Sequence, residues 1–123
     1  MTDQAIITLI RADQSDKALD ALYRFFPAVR KMIRGNGGNR QDAEDIFQEA
    51  LIILCKRITE TDFILTAQLS TYLFSVSRYL WKDESQKRRL FVADTPELSE
   101  EESDMQAAVQ KERDARLAEK VLL

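Results

Sequence analysis

Apolar residues recur along the chain in stretches that carry helical spacing. Over residues 39–58, Ala43, Ile46, Phe47, Ala50, Leu51, Leu54 and Ile58 fall at i, i+3, i+4 intervals and predict one buried stripe on a long helix. Asn39 stands at its N-cap with Asp42 three residues on, a near capping box that also sets a carboxylate on the positive helix end. Ahead of it, Leu19, Leu22, Phe26, Val29 and Ile33, flanked by Ala18 and Phe25, give a second helix its core stripe, with Ser15 as cap and Asp16 in the first turn. Pro27 falls inside this pattern and removes one backbone donor. It predicts a kink near residues 23–26 rather than a break, at a cost of about 3 kcal/mol unless packing absorbs it. Arg30, Lys31 and Arg34 crowd the C-terminal part of that helix, where cations suit the macrodipole, and Gly35-Asn36-Gly37-Gly38 reads as a tight helix–helix turn.

At the start of the chain, Thr2 or Asp3 can cap a short helix with Ile6, Ile7, Leu9 and Ile10 on its apolar face, ended by Asp13-Gln14. The last long helix covers residues 70–89, capped by Ser70 or Thr66, with Leu69, Leu73, Val76 and Leu80 as its buried stripe. Residues 59–68 are too short and irregular for a helix and too isolated for a sheet. Their Phe63-Ile64-Leu65 run reads as a loop whose apolar side chains fold back on the core. The expected fold is all-α: a compact domain of about four helices over residues 1–90. Residues 91–104, with Pro96 and six acidic residues, read as a flexible acidic linker. Residues 105–123 return to a helical pattern through Ala108, Leu117, Val121 and Leu122; a lone helix of that length is marginal in water.

Composition narrows the chemistry. A chain of 123 residues suits one small domain with appendages, and no apolar run approaches the roughly 20 residues that a membrane span needs, so no membrane insertion is expected. Cys55, the single cysteine, offers no disulfide framework and suggests a buried thiol in a reducing, cytoplasmic setting. There is no histidine, which removes the commonest general base, the commonest zinc ligand and the Glu-x-x-His pairs of a diiron helical site. Gly35, Gly37 and Gly38 match neither a P-loop nor a dinucleotide fingerprint. No enzyme is expected, and no cofactor or metal.

Net charge is −3, yet the charges are segregated. Residues 78–89 carry Arg78, Lys82, Lys87, Arg88 and Arg89 against Asp83 and Glu84, whereas residues 94–104 carry acidic residues alone. A local basic patch can bind phosphate whatever the average.

Two helix faces carry the candidate chemistry. On the 39–58 helix, Asp45, Gln48, Glu49 and Ile52 lie at i, i+3, i+4 and i+7 on the side away from the apolar stripe, an acceptor-rich patch ending in an aliphatic residue. It reads either as a protein-binding face or as a solvated face with one stray apolar side chain. On the 70–89 helix, Phe74, Arg78, Trp81, Ser85 and Arg88 share another face, with Tyr79 and Lys82 close by. Aromatic rings interleaved with cations suit single-stranded nucleic acid, since rings stack on bases while cations hold phosphates. Trp81 and Tyr72 fit equally well as core residues with a polar tip at the surface, and Arg88 and Arg89 as a charge run at a helix end.

The wording of the long helix, DAEDIFQEALIIL, resembles the core-binding helix in region 2 of bacterial sigma factors of the extracytoplasmic-function group, within the sigma-70 family, and the likeness extends in order over residues 3–90. It implies a transcription initiation factor in which Asp45, Gln48 and Glu49, with Ile52 as apolar neighbour, face the clamp helices of the largest subunit of core RNA polymerase. The last long helix looks like the one that reads and melts the promoter −10 element. That places Phe74, Arg78, Tyr79, Trp81, Lys82, Lys87, Arg88 and Arg89 on the non-template strand, with Phe63 of the preceding loop walling a pocket for a flipped base. At one position the chain departs from the pattern: Tyr79 follows Arg78 where many members have asparagine, so DNA recognition is implied without a particular base. Residues 105–123 resemble the first helix of the −35-binding region 4 and stop before a second, as in a fragment of a longer protein. The resemblance also implies control by an anti-sigma factor. The rival reading is a helical protein–protein adaptor that uses the same acidic face without binding DNA.

Overall fold

The computed structural model describes residues 1–61 and 68–88. Helices α1 (Asp3–Arg11), α2 (Ser15–Leu22), α3 (Phe26–Gly35), α4 (Arg40–Glu60) and α5 (Leu69–Arg88) follow one another, and a single 3₁₀ turn (Tyr23–Phe25) joins α2 to α3. The fold is all-α. Among the described residues no helix is long and apolar enough to cross a membrane, and no group of three or more His, Cys, Asp or Glu side chains gathers that could hold a metal.

Side chains near each end account for most of the boundaries. Thr2 caps α1, its hydroxyl accepting from the Ala5 N–H at 3.1 Å, and the chain leaves that helix through Asp13 at φ 60°, a left-handed conformation that aspartate tolerates better than most residues. Ser15 is the first helical residue of α2 rather than its cap. The N-cap is Gln14, which makes no side-chain capping bond. The expected kink at Pro27 is an interruption: α2 ends at Leu22, the 3₁₀ turn intervenes, and Pro27 lies in the first turn of α3. The reason is local, because a first-turn residue has no intrahelical acceptor for its N–H, so restarting the helix there removes the cost of the missing donor.

Helix α4 opens with a complete capping box. Asn39 Oδ1 accepts from the Asp42 N–H at 2.8 Å, and Asp42 Oδ2 accepts from the Asn39 N–H at 2.9 Å. The helix runs two residues beyond the expected end at Ile58, through Thr59, whose hydroxyl donates back to the Cys55 carbonyl at 3.0 Å. Of the two expected caps of α5, Ser70 lies inside its first turn and Thr66 lies outside the described residues. Asp3 of α1 reaches across and accepts the Leu69 N–H at 3.0 Å.

The predicted stripe of α4 is buried in full, from Ala43 through Ile58, and Ile53 joins it. Helix α4 packs against α5, α3 and α1, so its apolar arc is wider than a single stripe. Leu22, Val29 and Ile33 are buried as expected, while Leu19 and Phe26 are half-buried at the edge of the core. Leu69, Leu73, Val76 and Leu80 line the core side of α5, joined by the fully buried Trp81. Cys55 is half-buried rather than buried, and desolvation pushes its thiol pKa up.

The α3–α4 turn explains where Trp81 goes. Asn36 and Gly38 both donate backbone N–H bonds to the Ile33 carbonyl, and Gly37 takes a positive φ of 90°. The Trp81 indole Nε1 donates to the Asn36 carbonyl at 3.2 Å. Its ring lies so close to Gly38 that a Cβ there would overlap Ile33 Cγ2 and come within 2.9 Å of Trp81 Cζ2.

Candidate functional site

With one side of α4 buried, the opposite side forms a continuous outward face. Asp45 and Gln48 are exposed, Glu49 is half-buried, and Ile52 is 43% exposed, although Ile53 beside it is buried. Seven helical residues separate Asp45 from Ile52, about 10 Å along the axis at 1.5 Å per residue. The Gln41 side chain donates to Asp45 Oδ1 at 2.8 Å, which orients that carboxylate along the face and leaves acceptor capacity on both oxygens. The arrangement is a strip of hydrogen-bond acceptors with an aliphatic end, suited to a basic partner that also presents an apolar side chain.

The face expected on α5 is only partly at the surface. Arg78 is exposed and Lys82 is half-buried, while Phe74 and Tyr79 are half-buried against the core. Trp81 is a correction: it is 0% exposed, held by Asn36 and fitted over Gly38, and as placed it presents no ring to a base. Ser85, on the same presumed face, is also buried and donates to the Lys82 carbonyl. Arg88 has a further role. Its exposed guanidinium bonds Asp42 at 2.9 Å and Glu84 at 3.0 Å and lies 5.6 Å from the Trp81 ring centroid, so it ties α5 to α4. The Asp42 and Glu84 carboxylates raise its pKa further, keeping it charged. Lys87 is exposed and pairs with Asp83 at 3.6 Å. Phe63 and Arg89, the remaining expected DNA contacts, lie outside the described residues.

Along α5 a polar strip runs at i, i+4, i+7, i+11, with Thr71 and Arg78 exposed and Ser75 and Lys82 half-buried, bordered by Phe74 on one side and Tyr79 on the other. Thr71 and Ser75 do not stand out in the sequence, because hydroxyls carry no charge signal. Their spacing from Arg78 was the available clue. Asp42 shows in the sequence only as a cap, since nothing local announces a partner in another helix. On the buried side, desolvation pushes the Tyr72 phenol up, while the Arg57 charge and hydrogen bond act the other way. The Ser77 hydroxyl is buried without a hydrogen-bond partner among the described residues.

The family model for Sigma-70 region 2 matches residues 22–91, more than half of the chain and the whole of α3, α4 and α5. The chain belongs to the sigma-70 family. No curated protein and no solved structure matches it. As a member it is a sigma factor of transcription initiation, and region 2 in that family implies core RNA polymerase and promoter DNA as partners. Both candidate faces, on α4 and on α5, fall inside the matched span.

Proposed function

We propose that this sigma factor belongs to the extracytoplasmic-function group, acts in the cytoplasm without enzymatic activity or cofactor, and answers to an anti-sigma factor. Its α4 face of Asp45, Gln48, Glu49 and Ile52 seats the clamp helices of the largest polymerase subunit. Its α5 strip, with Phe63 of the preceding loop, engages and opens the −10 element on the non-template strand. The observation that carries the reading is the pairing on α4 of a fully buried side with an outward side that holds acceptors and an exposed isoleucine. A single exposed isoleucine is ordinary by itself, but one that ends a strip of acceptors makes a surface that a partner helix would cover. The test is a pull-down with a polymerase fragment containing the clamp helices. Retention by wild type and its loss in a Gln48→Ala/Glu49→Ala double variant support the reading; retention by both ends it. Clamp binding without any affinity for a single-stranded −10 oligonucleotide would leave a protein adaptor in its place.

A further inference from the structure

A further charged surface lies on a different helix from both faces. Residues 21–41 carry five cations, Arg24, Arg30, Lys31, Arg34 and Arg40, and no carboxylate, in a chain whose net charge is −3. In α3, Val29 and Ile33 point into the core with Phe26 and Met32 beside them, and helical spacing therefore turns Pro27, Arg30, Lys31 and Arg34 outward together. All four are exposed. Among the described residues no carboxylate pairs with Arg30, Lys31 or Arg34. Macrodipole compensation accounts only for Arg34, which is in the last turn; Arg30 and Lys31 are mid-helix, where the effect has faded. Three like charges within five residues, about 6 Å of axis, repel one another and add nothing to the fold. At the N-terminal end of this strip Tyr23 is 43% exposed, resting edge-on against Phe47 with ring centroids 5.3 Å apart. The Arg24 guanidinium lies 5.1 Å from the centroid of Phe25, and that of Arg30 lies 5.9 Å from Phe26, so both are held in place over rings.

We infer that this face of α3 is a second DNA contact that takes the phosphate backbone of duplex DNA irrespective of sequence. Cations clustered without carboxylates suit a ligand whose negative charges are themselves dense, and a duplex presents one per roughly 1.7 Å of its axis. A lipid surface fits poorly, since the outward positions of α3 offer only Pro27 and Ala28 as apolar side chains and an interfacial helix inserts a large apolar face. A protein partner would need an apolar centre with few lysines, and the strip has none beyond the Tyr23 edge. The inference goes beyond the α5 surface and is tested apart from it.

The test is fluorescence anisotropy of the full chain on a short labelled duplex without a −10 sequence, between about 50 and 200 mM salt. Replacing both cations, Lys31→Gln/Arg34→Gln, should weaken duplex binding several-fold at the low end and flatten the log–log salt slope by about one to two units. Helicity and Tm should hold, and the charge-keeping exchange Lys31→Arg/Arg34→Lys should restore binding. Discrimination between −10 and scrambled single strands should be unchanged in all three proteins. An unchanged salt slope, or no duplex binding by wild type at low salt, overturns the inference. Displacement of the duplex by poly-glutamate at equal charge concentration overturns it in favour of an acidic protein partner. Loss of duplex binding only in an Arg78→Gln/Lys82→Gln variant overturns it while leaving the α5 reading intact. Unweakened single-strand binding in the Arg78→Gln/Lys82→Gln variant would count against the α5 reading alone.

Discussion

Asp42 and Arg88 stand 46 residues apart in sequence and meet at 2.9 Å, joining the first turn of α4 to the last turn of α5. The carboxylate divides its oxygens: Oδ2 completes the capping box with the Asn39 N–H, and Oδ1 holds the guanidinium. One side chain thus secures a helix start and closes the end of the bundle where Trp81 is buried.

Stability should therefore fall on the acid side through Asp42. The Asn39 backbone N–H lowers its pKa most; partial desolvation opposes this, and Arg88 adds to the lowering. With the folded pKa below the unfolded one, the unfolded state binds more protons in between. The contribution is complete above the ordinary carboxylate range near pH 3.9 and is lost as pH drops through the lowered folded value. Asp42→Ala should cost about 1 kcal/mol at neutral pH, mostly the lost cap bond, because the exposed Arg88 pair is screened by solvent. For a domain of this size that is a Tm drop of about 4–8 °C. Thermal melts of wild type and variant from pH 7 to pH 3 should converge at the acid end.

Gly38 should be among the least replaceable residues of the turn. Gly38→Ala drives a methyl group into Ile33 and the Trp81 ring, and overpacking of this kind typically costs about 1–3 kcal/mol. Trp81 is the single tryptophan, so its emission reports the event directly. Wild-type fluorescence should resist acrylamide, and the Gly38→Ala variant should be quenched more readily at the same temperature.

The difference between what was legible in the sequence and what was not follows the range of the forces involved. The all-α class, the α4 stripe and the cap pair Asn39–Asp42 depend on neighbours within a turn or two, so spacing alone reveals them. Asp3 at the start of α5, Arg88 on Asp42 and Trp81 on Asn36 are meetings across 45 residues or more, and no local pattern encodes them. The α5 face is ambiguous in the sequence for a related reason. A tryptophan flanked by cations looks the same at the surface and at a core edge, and only the close approach of the α3–α4 turn decides that Trp81 belongs inside.

Clamp binding should depend on Ile52 as well as on its polar neighbours. Ile52→Asn removes an exposed apolar side chain, so the fold should lose less than about 0.5 kcal/mol. If Ile52 packs against a partner, the same change removes buried area worth about 1.5–3 kcal/mol and weakens clamp affinity at least tenfold. Titration calorimetry with the clamp fragment, set beside urea denaturation of the free protein, separates the two. Equal small effects in both measurements would mean that Ile52 is merely a surface residue.

On single-stranded −10 DNA the two kinds of side chain on α5 should separate by their salt dependence. Arg78→Gln and Lys82→Gln each delete one outward cation, so each should flatten the salt slope by about 0.7 unit and weaken every sequence alike. Phe74 is half-buried at the border of the strip, with part of its ring in the core. If the remaining edge stacks on a base, Phe74→Ala should cost about 1–3 kcal/mol of binding with no change in slope. Because the same change loosens the core, Phe74→Leu serves as the second variant: it keeps most of the packing volume and removes the stacking surface. A panel of oligonucleotides with one abasic site each locates the contact. Wild type should lose affinity sharply at one position, and Phe74→Leu should lose that sensitivity while Arg78→Gln retains it. A Phe74→Leu variant that still responds to the same abasic site would move the base pocket off α5, and Phe63→Leu in the same panel would then test the preceding loop.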